Sequence, residues 1–327
     1  MISPFILRLL LLIVCFISAC DRTPPQNTTN TPCQDIQHEF GSTQICETPQ
    51  RVIALDPRSL DLLLSLDVQP VGYAEDARVL SGTPRFGTTV DVKYLGDRIT
   101  TDPIYVGTWQ SPSQEAVLKL KPDLILLGYG GEQTLFTNFS QIAPTLPLLQ
   151  SDRHWKDDLL ALGRVTNREQ IAQQVIQDHN KRIADASAKL KAVAGTLLLL
   201  SVSGLDSVEV FTQETFAGNL LKELGFELVV PKLPVRYGQI PISIEILPQL
   251  DAEIVIVMAS DDSTISQIQK LWEQTPVLRS LPAYQVNQVY FVDYHLWSRI
   301  TGPIASELII EQLQQLFTAR VPTSKSN

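Results

Sequence analysis

Arg168–Val193, REQIAQQVIQDHNKRIADASAKLKAV, decides the architecture. Ala172, Ile176, His179, Ile183, Ala186, Leu190 and Val193 recur at alternating spacings of four and three. Ile171 and Val175 widen the stripe, and the opposite face is Gln, Lys, Arg and Asp. This is one amphipathic helix. At 1.5 Å rise it is about 39 Å long, the span of a small domain. His179 lies on the apolar stripe and reads as a packed or boundary histidine rather than a ligand. Strand-and-helix patterns occupy both sides of the helix, so the chain reads as two β/α lobes, 51–167 and 195–320, joined by the segment 168–194.

In the first half, Arg51–Leu55, Val68–Tyr73, Pro103–Val106 and Asp123–Leu127 read as strands. Helices are expected at Ser59–Leu66, with Ser59 as N-cap, and at Ser113–Leu120. Gly128–Gly131 is a glycine loop at a strand end. Such alternation implies a mostly parallel sheet with helices on its faces. In the second half, Thr196–Val202, Ser207–Phe211, Glu253–Met258 and Val289–Val292 read as strands, with Phe226–Val230 β-like. Phe216–Leu224, Ser243–Leu250 and Ile304–Phe317 read as helices, Gly225 stopping the first. One local pattern recurs: Ser113-Gln114-Glu115 and Ser243-Ile244-Glu245 each open an apolar helical turn that leads through an acidic residue into a buried strand.

The N-terminus adds an address. Arg8, an apolar run Leu9–Ile17 too short to span a bilayer, and Ile17-Ser18-Ala19-Cys20 resemble a bacterial lipoprotein precursor. That resemblance implies a signal peptide over 1–19, lipidation of Cys20, and a membrane tether outside the cytoplasm. Asp21–Pro32 is Pro, Asn, Thr and Gln with almost nothing apolar, a spacer that cannot repay its ordering entropy. Cys33 and Cys46 flank Gly41-Ser42 in an expected hairpin within 33–50. They are either a disulfide or two buried thiols, and an exported chain favours the disulfide. Residues 321–327 form a tail.

The chain has 327 residues, 44% of them hydrophobic, enough for one large or two medium cores. Its formal charge is −9, and removal of the leader takes away only a positive charge, Arg8. An acidic, aromatic-poor surface excludes nucleic acid as a partner, because no cationic excess exists to neutralise phosphates. His38, His154, His179 and His295 are not closely paired, so no metal site is expected from spacing. Leu200-Ser201-Val202-Ser203-Gly204 lacks the first glycine of a nucleophile elbow, and Asp293 with His295 carries no further support, so an enzyme and catalytic residues are not expected.

Taken in order and spacing, Arg51-Val52-Ile53-Ala54-Leu55, Tyr105-Val106-Gly107-Thr108, Ser113-Gln114-Glu115 with Leu120-Lys121-Pro122-Asp123, Ile142-Ala143-Pro144-Thr145 and Ile242-Ser243-Ile244-Glu245 resemble the solute-binding lipoproteins of ABC transporters of the iron-siderophore and vitamin B12 type. The resemblance covers about 51–318. It implies an α/β fold of two Rossmann-like lobes joined by one long α-helix. It also implies a monomer on the periplasmic side of the cytoplasmic membrane, and a permease dimer with its ATPase as partner. Glu115 and Glu245 match the rim glutamates that meet permease arginines in this family. The pair would give orientation as well as attraction.

The implied ligand is a ferric siderophore, arriving already chelated, with no cofactor and no protein ligands to iron required. It would lie between the lobes near strand ends. Loop residues there are Arg58, Trp109, Tyr129, Arg236, Tyr237, Trp297 and Arg299. Arginines supply charge and forked donors and tryptophans pack on a chelator's arms, which favours a bulky anionic chelate such as a citrate–hydroxamate. A haem or cobalamin binder of the same family, with Tyr73, Tyr129 or Tyr237 available to haem iron, and a sensory lipoprotein remain alternatives. Arg78, Arg85 and Arg98 fall in a Gly/Thr-rich excursion without an assigned course.

Overall fold

A computed structural model describes residues 33–76, 92–128, 133–148, 154–260 and 263–318. The leader, Cys20, the spacer, Arg78, Arg85, Tyr129, the rest of the glycine loop after Gly128, and the tail lie outside the described residues.

The described chain opens with an antiparallel hairpin, Gln34–His38 (β1) and Gly41–Ile45 (β2), and Cys33 is disulfide-bonded to Cys46 across its open end. Thr43 donates from Oγ1 to the Thr145 carbonyl at 2.6 Å, and the His38 and Phe40 rings pack on Phe136. These contacts seat the hairpin on the first lobe.

That lobe is built on Val52–Ala54 (β3), Gly72–Glu75 (β4), Ile104–Thr108 (β5), Ser111–Pro112 (β6), Leu124–Leu127 (β7) and Thr145–Pro147 (β8). Their order is β6-β5-β4-β3-β7-β8, and every pairing is parallel except β5–β6. The chain moves outward from β3 through β4 to β5, then returns to the other side of β3 with β7. The strand order therefore reverses between β3 and β7, where ligands of open α/β sheets gather. The loops after these two strands touch so closely that a Cβ on Gly128 would sit 1.3 Å from Asp56 Oδ2.

Between β3 and β4 lies Pro57–Ser65 (α1). Its cap is Asp56, not Ser59 as the sequence suggested: Asp56 Oδ1 accepts from Ser59 N at 2.7 Å, and Ser59 Oγ accepts from Asp56 N. Pro57 presets the first helical φ and moves the start upstream. The strand expected at 68–73 begins only at Gly72, because Asp67 takes a positive φ of 55° and Val68 still bonds to Leu63 O. Gln114–Lys119 (α2) starts at Ser113, whose Oγ accepts from Ala116 N. Arg51 donates to the Leu120 carbonyl at α2's far end, and Asp123 accepts from the Gln50 and Arg51 amides. Two separate pieces of the sequence pattern, Arg51 and Leu120–Asp123, are thus one joint. Gln133–Phe139 (α3) and Trp155–Val165 (α4) complete the lobe.

Glu169–Leu190 (α5) is the interlobe rod, about 33 Å at 1.5 Å per residue and three residues shorter at its C-terminus than its pattern. His179 is 5% exposed and packs edge-on against Trp155 at 4.9 Å.

The second lobe has Thr196–Gly204 (β9), Ser207–Phe211 (β10), Glu227–Leu228 (β11), Gln239–Ile242 (β12), Ile254–Ala259 (β13) and Val289–Asp293 (β14). The order is β12-β10-β9-β13-β14, with β11 beside the start of β9. β9, β11, β13 and β14 pair in parallel, while β10 runs antiparallel to both its neighbours, β9 and β12, a mixed sheet rather than a parallel one. Phe216–Glu223 (α6) is capped by Thr215 and ended by Gly225 at φ +98°. The expected helix over 243–250 is a 3₁₀ segment, Ile244–Gln249, with Pro248 inside it. Ile265–Gln274 (α7) carries a capping box of Thr264 and Gln267. A π-helical turn, His295–Arg299, leads to Pro303–Thr318 (α8). Among the described residues no helix is long and apolar enough to cross a membrane.

One apolar cluster runs through both lobes. It joins Leu60, Leu64, Tyr73, Leu95 and Tyr105 of the first to Leu221, Trp297, Ile300, Ile304 and Leu313 of the second. A polar rivet crosses the same boundary. The fully buried Asp61 of α1 accepts from the Ile304 and Ala305 amides at 3.1 and 2.9 Å, satisfying the N-terminus of α8. Gly302 is required there, since a Cβ would lie 2.4 Å from Asp61 Oδ1. Glu307 of α8 adds ion pairs to Arg98 and to Arg182 of α5, each at 3.2 Å.

Candidate functional site

The C-terminal ends of β4 and β14 face each other between the lobes. Trp109 opens the two-residue turn between β5 and β6, and Arg299 closes the π-helical turn after β14. The Arg299 guanidinium lies 5.4 Å from the Trp109 ring centroid and 5.1 Å from that of Tyr294. A cation held by aromatic faces from both lobes is thereby fixed in the cleft. Arg299 Nε and Trp109 Nε1 are buried without a hydrogen-bond acceptor. Two such donors in one stack are costly unless an acceptor reaches them.

Beside it, Lys93 Nζ pairs with Asp293 Oδ2 at 2.5 Å, joining the segment before β5 to the end of β14. Burial raises the Asp293 carboxyl, but the Lys93 ammonium outweighs it and leaves it below its ordinary range. The Tyr94 ring stacks on His295. Beneath these, His295 Nε2 and Glu75 Oε1 stand 3.7 Å apart, both buried. Burial pushes Glu75 up to about 8, with Asp76 and Asp56 adding to the rise against an opposing backbone N–H, and burial pushes His295 down to about 4. Burial thus disfavours the charged form of each.

Arg58 sits in the first turn of α1 at the strand-order reversal, where its charge partly offsets the burial that raises Asp56. Arg236 and Tyr237 begin a tight turn to Gln239, with amide bonds of 2.9 Å in both directions between Arg236 and Gln239 and φ of +50° and +75° at Tyr237 and Gly238. This is type I′ geometry. Gln239 pairs with Phe211, whose ring meets Tyr294 edge-on, so the turn is linked to the Arg299 stack. The structure thus brings Trp109 and Arg299 together, while the Arg236–Tyr237 turn is joined to them only indirectly, through Phe211 and Tyr294.

Trp297 is a correction. It is fully buried, with Nε1 donating to Gln312 Oε1 at 2.7 Å, and belongs to the shared core rather than to the cleft wall. The tight π-helical turn that carries Arg299 to the cleft turns Trp297 inward. Tyr129 lies outside the described residues. Sequence reasoning missed Tyr294, Lys93, Tyr94 and Glu75. Tyr294 adjoins the residues already singled out after β14, a signal that was available. Lys93 and Tyr94 had none, because they follow the unplaced excursion.

Glu115 is exposed in the first turn of α2 and pairs with Lys119 at 2.7 Å, which lowers its carboxyl. Glu245 is exposed on the 3₁₀ segment of the other lobe and accepts from the Ser243 hydroxyl. The elbow-like Leu200–Gly204 is simply strand β9, with Ser201 5% exposed, and Asp293 is engaged by Lys93 and by the His295 amide rather than by its ring. Among the described residues no group of three or more His, Cys, Asp or Glu side chains is placed to hold a metal ion.

Comparison with known proteins agrees with this architecture. The chain is 28% identical over 309 residues to the Fe(3+)-citrate-binding protein YfmC of Bacillus subtilis, covering 92% of this chain and 93% of that one. It is 32% identical over 278 residues to the ferric enterobactin-binding periplasmic protein FepB of Escherichia coli, covering 79% and 83%. Staphylococcus aureus SirA, in a crystal structure complexed with staphyloferrin B, shares the fold at a TM-score of 0.68 and 23% identity, over 87% of this chain and 98% of that one. Residues 52–295 match the family model described as periplasmic binding protein. The chain therefore belongs to the periplasmic binding protein family, whose members bind solutes rather than transform them.

Proposed function

We propose that this chain captures an anionic ferric siderophore between its lobes and delivers it to an ABC importer. On this reading it is tethered outside the cytoplasmic membrane through lipid on Cys20. The observation that carries the reading is the Arg299 stack, whose unpaired Arg299 and Trp109 N–H groups await acceptor oxygens at the interlobe boundary. Carboxylate, catecholate and hydroxamate chelates of Fe(III) present such oxygens on a negatively charged body. YfmC, an Fe(3+)-citrate-binding protein, and FepB, a ferric enterobactin-binding protein, take ligands of this kind. The iron is cargo wrapped by its chelator, and no cofactor takes part. Glu115 and Glu245, one exposed on each lobe, serve as the paired contacts to the permease.

Tryptophan fluorescence tests the reading directly, because Trp109 belongs to the stack. The purified protein is titrated with ferric citrate, a ferric citrate–hydroxamate, a ferric catecholate, haem and cobalamin. Saturable quenching by a ferric chelate and not by its iron-free form is expected. Quenching by haem or cobalamin alone would move the ligand class, and quenching by none would overturn the reading.

A further inference from the structure

A strip of exposed apolar residues runs into the turn beside the cleft. Val230, Leu233, Val235 and Tyr237 are 38%, 43%, 42% and 85% exposed. They are four of the eight large exposed hydrophobics among the described residues, gathered in eight consecutive positions. Scattered exposed apolar side chains need no explanation, but a local concentration marks a binding surface. Tyr237 is held in the left-handed region, which bulky side chains disfavour, so the turn presents its ring at a conformational cost. The electrostatics are equally local. From Leu228 to Ile244 there is no acidic residue, while Lys232 and Arg236 are exposed, in a chain of formal charge −9.

The strip is tied to the cleft through buried Thr212 and Phe211. Thr212 N donates to Gly238 O at 2.9 Å, the neighbouring Phe211 meets Tyr294, and Tyr294 supports Arg299. We infer that the ligand is an amphiphilic anionic chelate, its charged iron-binding head on Arg299 and Trp109 and an apolar arm laid along Val230–Tyr237. This deepens the proposed function and rests on it. A compact, wholly polar chelate would leave the strip uncovered. An apolar arm joined to an anionic head matches both its side chains and its positive charge.

The test compares two ferric chelates with the same citrate–dihydroxamate head, one bare and one carrying an eight-carbon acyl chain, each below its micellar concentration. The full-length protein is expected to bind the acylated chelate at least ~10-fold more tightly, since burying even two or three methylenes supplies that factor. In the Leu233→Ser/Val235→Ser variant the two affinities should converge while that for the bare chelate is unchanged. Equal affinities in the unsubstituted protein overturn the inference and leave the siderophore reading standing. Failure to bind either chelate, or any other ferric siderophore, overturns both. A variant that keeps the preference also overturns the inference. Anionic phosphatidylglycerol vesicles form the control arm: sedimentation with vesicles that Leu233→Ser/Val235→Ser abolishes, without any acyl preference, assigns the strip to a membrane instead.

Discussion

Arg299 holds its place by stacking, and stacking is what distinguishes guanidinium from ammonium. Arg299→Lys keeps the charge but loses the planar fork and the two aromatic contacts. Ferric chelate affinity should fall by about 10-fold or more, a loss of roughly 1.4 kcal/mol, measured by the same fluorescence titration. An unchanged affinity would remove Arg299 from the site. Glu75 and His295 give a second residue-level expectation, in pH. Glu75 has a folded value of about 8 against 4.5 unfolded, so its contribution to stability is full below 4.5 and is lost as pH rises through 8. His295, at about 4 against 6.5, contributes above 6.5 and loses that contribution as pH falls through 4. The opposing slopes cancel between 4.5 and 6.5, so the pair gives a plateau there and a decline on either side. Glu75→Gln stays neutral, so it should flatten the alkaline decline and, with the opposing slope gone, make the acid decline begin at about 6.5 instead of 4.5. Urea midpoints from pH 4 to 8.5 for both proteins would show this, and their difference isolates Glu75 from Asp56, Asp76, Asp293 and Lys93 nearby. Identical curves would mean the carboxyl is already ionised.

At the scale of elements, the polar cap of α8 comes from another lobe. Removing it in Asp61→Ala leaves two buried amides without acceptors, a cost of about 2–4 kcal/mol. Burial already raises Asp61 to about 6 against the pull of those same amides, so part of that cost is recovered by no longer burying a carboxylate. Chemical denaturation reads the balance, and a loss below ~1 kcal/mol would show that solvent replaces the cap. The hairpin differs. It is a separate two-stranded sheet, closed by Cys33–Cys46 and held to the first lobe by Thr43 and the Phe136 contacts. Reduction should expose the amides of β1 and β2 to hydrogen exchange while the strands from β3 onward keep their protection. Loss of protection in β3 would contradict this.

Much of this level was legible in the sequence, for identifiable reasons. α5 announces itself because an apolar stripe repeats for six turns, and β13 because six buried positions read as one apolar run. α3, α4, β8 and β12 were not assigned. β8 and β12 are three and four residues long, too short for periodicity to speak, and β12 contains Pro241. Arg299 and Trp109 could be nominated by type and by position after strands, but their contact depends on lobe placement, which no local pattern encodes. Trp297 was misjudged for the same reason: two residues from Arg299, it looks equally loop-like until the π-helical turn is known.

At the scale of the molecule, the lobes are coupled by α5, by Asp61 of α1 accepting from the first amides of α8, by Glu307 with Arg98 and Arg182, and by Lys93 with Asp293. Large closure uses a few freely rotating hinge residues, and none of these ties permits it. Small-angle scattering with and without the ferric chelate should show a change in radius of gyration under ~1 Å. A larger contraction would require the Asp61 rivet to break on binding.

The shared apolar cluster also bears on descent. The two lobes share one local pattern, a Ser-x-Glu signal before a buried strand, yet neither owns a complete interior. Leu60, Tyr73 and Tyr105 end against Trp297, Ile300 and Ile304, so a lobe cut away at α5 would carry a raw hydrophobic face. Such halves cannot be traded between relatives as modules. Whatever new chelates this lineage comes to recognise must arise by changing loops on an indivisible frame.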